Sequence, residues 1–161
     1  MQLLEVSRTG HTPDRFLADV GRIFATFDHS AQDSGNVSYG VESEGTPFFV
    51  KTAGLPSSRA ALPHDARVEW LRNAIRLSAS VDDPALCELR HVIESAHGPM
   101  LVYDWASGEL VGCARQRRED PASAFARFKR LRLPELTAAL TAVFRVHAAL
   151  CARGWIASDC V

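Results

Sequence analysis

The sequence predicts an α+β fold, an antiparallel sheet with helices on one side of it. Three observations carry that prediction. Two pairs of short β-branched and aromatic runs are joined by tight turn sequences, the mark of hairpins. Three longer segments repeat apolar residues at helical spacing. The order is helix, two strands, helix, two strands, linker, helix, so hairpin-linked strands pair with their neighbours and the helices pack against them.

Each element has a local reason. Thr12-Pro13-Asp14 opens the first helix, with Thr12 able to cap and Pro13 suited to the first turn. Phe16, Leu17, Val20, Ile23, Phe24 and Phe27 then give one apolar stripe, which predicts a helix to about Phe27. Residues 28–35 are polar and read as a loop. Residues 37–41 and 47–52 are strands around the turn Ser43-Glu44-Gly45-Thr46. The Gly-, Pro- and Ser-bearing stretch 53–63 is a loop. Val68, Leu71, Ile75 and Leu77 predict a helix over 64–80. Asp83-Pro84 breaks the chain, and strands over 86–95 and 100–105 follow, joined by Ala96-His97-Gly98-Pro99. Residues 109–133 hold Arg115-Gln116-Arg117-Arg118, read as a solvated linker, and a short helix over 121–129. Pro134 opens a long helix carrying Leu136, Leu140, Val143, Phe144, Val146 and Leu150, with Gly154 closing it. His147 on that helix reads as a core histidine. The stripe over 134–153 is broad enough to need a partner face, so a homodimer through this helix is expected.

Composition bounds the function. The chain has 161 residues, 47% apolar and 23% charged, which excludes a disordered chain, a collagen-like fibre and a coiled-coil rod. A net charge of −1 supplies no chain-wide basic field for nucleic acid. No apolar run approaches the roughly 20 residues of a membrane helix, so no membrane partner is expected. Met1-Gln2-Leu3-Leu4-Glu5 lacks the pattern of a signal peptide. Cys87, Cys113, Cys151 and Cys160 form no CxxC pair and no zinc spacing with histidine. They read as free thiols in a reducing cytoplasm, and no metal site is predicted.

Lysine is scarce: the chain has sixteen arginines but only Lys51 and Lys129. Lys51 ends the apolar run Phe48-Phe49-Val50-Lys51, where an ammonium is costly unless a carboxylate or a ligand pairs with it. The next helix supplies Glu69, between Val68 and Trp70. A strand lysine and a glutamate on the following helix make a pair that aims the lysine at phosphate oxygens. A snorkelling lysine beside a solvated glutamate is the competing reading. Ser34-Gly35-Asn36-Val37-Ser38-Tyr39-Gly40 brings two glycines to a short polar stretch whose amides suit phosphate. It fails G-x-G-x-x-G because Val37 replaces the middle glycine, and an ordinary loop entering a strand competes with it.

Taken in order, these features resemble the protein-kinase-like superfamily over about residues 34–161. They are the glycine-bearing loop with Tyr39 near its tip, Lys51, Glu69 eighteen residues later, a strand entering a hinge over 101–108, the long helix, and Gly154-Trp155-Ile156-Ala157-Ser158-Asp159 in the place of the catalytic loop. The wording around 34–41 and 67–74 looks most like bacterial serine/threonine-kinase-like proteins near the aminoglycoside-phosphotransferase branch. The resemblance implies an N-lobe, an antiparallel sheet with its helix, over 34–108. It also implies an N-terminal helical extension over 1–33 and the start of a helical C-lobe over 109–161. It implies ATP as cofactor, with Lys51 on the α- and β-phosphates held by Glu69, and Gly35, Tyr39 and Gly40 covering the phosphates. Tyr103 would be the gatekeeper, the backbones of Asp104 and Ala106 would hold adenine, and Glu109 would reach the ribose. Asp159 would be the catalytic base for a hydroxyl-bearing acceptor.

The sequence departs from that family at Ala157-Ser158, where His and Arg or Gly stand in the catalytic loop. Two residues follow Asp159, so the family's Mg²⁺ ligands have no counterpart here. The reading is therefore of the ATP-binding front part of a bacterial phosphotransferase, inactive by itself. A non-catalytic binding or scaffold module that keeps the same lobe is the alternative.

Overall fold

A computed structural model describes residues 2–28, 35–56, 60–109, 111 and 120–156. The chain is α+β, with one five-stranded antiparallel sheet and four helices among the described residues. A short 3-10 turn, Leu3–Glu5, precedes helix α1 (Pro13–Val20). Strands β1 (Arg22–Phe27), β2 (Val37–Ser43) and β3 (Thr46–Thr52) follow, then helix α2 (His64–Ser80). Strands β4 (Leu89–Ser95) and β5 (Gly98–Asp104) close the sheet, and helices α3 (Ala124–Phe128) and α4 (Leu133–Ala152) end the chain. Across the sheet the order is β1-β2-β3-β5-β4.

One expected element is corrected. The helix predicted to Phe27 stops at Val20, and residues 22–27 are a strand. Ile23, Ala25 and Phe27 alternate with more exposed neighbours, and β1 pairs with β2 from Arg22↔Glu42 to Phe27↔Ser38. Gly21 makes the switch: its extended backbone passes so close to β2 that a Cβ would lie 2.5 Å from the Glu42 carbonyl oxygen. The sheet therefore has three strands before α2, where the sequence predicted two. The strand expected from residue 86 begins at Leu89, because Asp83 Oδ1 accepts from Ala85 N and Leu86 N donates to Asp83 O in a turn.

The chain divides into two compact units, Met1–Ser80 with Cys87–Ala106, and Val81–Leu86 with Ser107–Val161. In the first, α1 covers one face of the sheet. Leu3, Phe16, Leu17 and Val20 pack with Val41, Phe48, Val50, Ile93, Met100 and Val102. Helix α1 and β1 belong to the same compact unit as the later strands, and the boundary expected at residue 33 lies outside the described residues. The opposite face carries α2, whose Leu71, Val68, Ala74 and Ile75 pack with Ala53, Leu89, Leu101 and Tyr103. Helices thus lie on both faces, whereas the sequence suggested one. Arg72 donates to both oxygens of Glu94, at 3.1 and 3.2 Å, and ties α2 to β4. Residues 7–9 bridge the outer side of β4 through Thr9 N to Glu94 O and Glu94 N to Ser7 O, which blunts that sheet edge.

In the second unit, α4 begins with a capping box, Arg132 N donating to Glu135 Oε2 at 2.9 Å. Gly154 follows its end at φ +75, the left-handed position that favours glycine. Arg145 donates to Asp83 through Nε and Nη2. Leu150 near its end is buried, while Leu133 is 76% exposed and Phe144 71%. The sequence reading found no apolar run of membrane length. Yet α4 is long and apolar enough to cross a membrane by length and composition, with mean hydropathy 1.3 over 18 residues.

Candidate functional site

Strand pairing decides which side chains share a face. Residues directly opposite in an antiparallel ladder point the same way. Phe27, Ser38, Lys51 and Leu101 therefore form one row across β1, β2, β3 and β5. Ala25, Gly40, Phe49, Tyr103 and Leu89 form the next. Leu101, Tyr103 and Leu89 pack with α2, so both rows lie on the α2 face.

Helix α2 covers only the β3-β5-β4 part of that face. Beyond it the rings of Phe24, Phe27, Phe49 and Trp105 gather. Phe24 and Trp105 meet edge to face at 4.9 Å, Phe27 stacks on Trp105 at 6.5 Å, and Phe49 lies 6.4 Å from Trp105. Gly40 is the floor of this group. A Cβ there would stand 2.6 Å from the Phe24 ring and 2.9 Å from the Trp105 ring, so only glycine lets the rings approach the strand. Phe24 stays 37% exposed.

Lys51 sits between the aromatic group and α2. Among the described residues no carboxylate lies within ion-pair distance of it. Burial alone pulls its pKa below the ordinary 10.5. The expected Lys51–Glu69 pair is absent. Glu69 is exposed and pairs with Arg76 at 2.6 Å. The helix wheel explains the difference: Arg67, Leu71 and Ala74 turn toward the sheet, and Glu69 stands about 200° round the helix from Arg67.

The other expected site residues separate. Tyr39 and Gly40 are not at a loop tip; both lie within β2. Tyr39 faces the other way from Lys51, half-buried against the α1-side core, so it covers no ligand held at Lys51. Burial, with Asp14 and Asp28 nearby, raises its pKa. Gly35 stands at the entry to β2 with φ +78, and its carbonyl accepts from Arg67. Tyr103 shares the Lys51 face and touches Phe49 at 6.5 Å; burial pushes its pKa up to about 12. Asp104 ends β5 with its side chain 3.7 Å from Arg90, and Ala106 is the last residue of the first unit. Glu109 belongs to the second unit and pairs with Arg127. Asp159 and the cluster Arg115–Arg118 lie outside the described residues.

A group of three aromatic residues and one buried arginine escaped the sequence reading. Phe24, Phe27 and Trp105 do share a face with Lys51, but only the corrected β1 and its register reveal it. Arg67 is the other, the largest fully buried side chain of the chain as described. Its signal was available: it precedes Leu71 by four residues and so shares the inward stripe. No described group of three or more His, Cys, Asp or Glu residues is arranged to hold a metal ion. No protein-family model matches the chain, and no curated protein matches it.

Proposed function

We propose that the first unit is a nucleotide-binding lobe of protein-kinase-like type, binding ATP through its phosphates at Lys51. One observation carries this: a half-buried ammonium with no carboxylate at ion-pair distance among the described residues, on the sheet face that also carries the rings of Phe24, Phe27, Phe49 and Trp105. A phosphate would supply a counter-charge for the ammonium, and binding would raise its pKa back toward the ordinary value. The strand order β1-β2-β3-β5-β4, with α2 between β3 and β4, supports the reading. So do Tyr103 on the same face and the end of the first unit at Ala106, where the resemblance puts the gatekeeper and the hinge.

Phosphoryl transfer to a hydroxyl acceptor, in the cytoplasm, would belong to a longer parent that supplies the metal ligands. A second reading, a non-catalytic binding module on the same lobe, is favoured by Glu69. Its pairing with Arg76 leaves Lys51 unaimed by any helix carboxylate. Self-association through α4 forms part of the proposal, because Leu133 and Phe144 are bare while Glu135 and Arg145 are already paired.

Calorimetry with ATP, with and without Mg²⁺, tests the lobe. Wild type should bind, and Lys51→Ala should bind at least about tenfold more weakly, the scale of a charge-assisted contact. Equal affinity in the two would remove Lys51 from the site. ATP turnover by the chain alone would contradict the non-catalytic reading.

A further inference from the structure

The inward stripe of α2 carries a charge where an apolar residue would be expected. Arg67 is 1% exposed. Its Nη1 donates to the carbonyls of Gly35 and Ala53, and its Nη2 to Leu55 O at 3.2 Å. All three acceptors are backbone oxygens, and Nε has no partner among the described residues. Carbonyl dipoles offset only part of the cost of burying a guanidinium, and desolvation lowers its pKa.

The three acceptors occupy one place in the fold. Ala53 and Leu55 follow Lys51 by two and four residues. Gly35 precedes Val37, the partner of Thr52 at the end of the β2–β3 ladder. One side chain thus joins α2 to both chain segments beside Lys51. The knot is tightened by neighbours: Thr52 Oγ1 donates to Val37 O at 2.8 Å, Gly54 N donates to Thr52 Oγ1 at 3.1 Å, and His64 Nε2 lies 3.2 Å from Gly54 O. Gly35 and Gly54 have φ of +78 and +66, and a Cβ on Gly54 would stand 2.7 Å from Gly35 O. The segments are packed backbone against backbone, with the guanidinium as the shared donor.

We propose that Arg67 is a positioning residue, whose three-carbonyl clamp fixes the entry to β2 and the Lys51 end of β3 in the arrangement that receives the phosphates. This rests on the nucleotide reading above. The clamp anchors α2 where the resemblance expected a Lys51–Glu69 pair, and it uses none of the Lys51 ammonium, which has no ion-pair partner among the described residues. Lysine at position 67 would keep the charge but not the planar fork that serves three oxygens at once.

Wild type, Arg67→Lys, Arg67→Ala and Lys51→Met are compared by ATP calorimetry and by amide hydrogen exchange at residues 35–38 and 53–55. The clamp predicts faster exchange in both Arg67 variants and ATP affinity at least about tenfold lower, for loss of bonds to a charged group. It also predicts that guanidinium ion restores affinity to Arg67→Ala. Lys51→Met should lose ATP while keeping wild-type exchange, which separates the clamp from the contact. ATP affinity and exchange of wild type in Arg67→Lys would overturn the clamp. So would a folded Arg67→Ala with undiminished affinity. If Arg67→Ala does not fold, Arg67→Lys decides by the same two readouts. If wild type binds no ATP, the nucleotide reading falls, and unchanged exchange in Arg67→Lys then overturns the clamp on its own.

Discussion

Lys51 and Tyr103 share a sheet face, and burial acts on them with opposite signs of pH dependence. Tyr103 keeps its proton in the folded state to about pH 12, against an ordinary 10.0. The folded state then binds more protons than the unfolded between those values, so its contribution to stability is lost as pH rises from 10 to about 12. The chain has only two tyrosines, Tyr39 and Tyr103. A spectrophotometric titration of Tyr39→Phe should show tyrosinate appearing well above pH 10 in native protein, and at the ordinary value after denaturation; coincident curves would place Tyr103 in solvent. Lys51 has a lowered pKa, so the unfolded state binds the extra proton. Its cost is full below the folded pKa and is relieved as pH rises toward 10.5. Lys51→Met should therefore unfold at a higher temperature than wild type at neutral pH, with the gap closing in alkali. A gap that widens with pH would show that the ammonium is paired.

At the scale of elements, glycine decides two junctions that composition leaves open. Gly40 floors the aromatic group, and Gly40→Val should cost about 1–3 kcal/mol as the Phe24 and Trp105 rings are forced off the strand. Urea unfolding measures it, and a neutral result would mean that the rings do not rest on β2. Helix α2, both hairpin turns and α4 were legible, because each has one period and clear punctuation at its ends. The switch from α1 to β1 was not. Ile23, Phe24 and Phe27 continue the spacing of Phe16, Leu17 and Val20, while Ile23, Ala25 and Phe27 also alternate. Only the approach of β2 to Gly21 and the β1–β2 register choose between the two periods, and both are tertiary facts. Lys51 was legible as an ammonium in an apolar strand. Its partner was misread because Glu69 has the right type and distance in sequence but the wrong helix face. Tyr39 failed for the analogous reason in a strand: one residue of offset from Gly40 moves a side chain to the other side of the sheet.

For the whole molecule, the exposed Leu133 and Phe144 of α4 carry the expectation of self-association. Sedimentation should show the mass of wild type rising with concentration. Phe144→Glu should hold the chain monomeric, because a carboxylate would enter the shared face. A monomer at every concentration would remove self-association from the account. Nucleotide binding is the claim on which the rest depends, and the scarcity of lysine offers a direct test. Lys51 is half-buried on the sheet and Lys129, the only other lysine, is exposed. Labelling with an amine-reactive reagent, read at each lysine by mass spectrometry, should slow at Lys51 when ATP is present and stay unchanged at Lys129. Equal labelling of Lys51 with and without ATP would contradict the phosphate site.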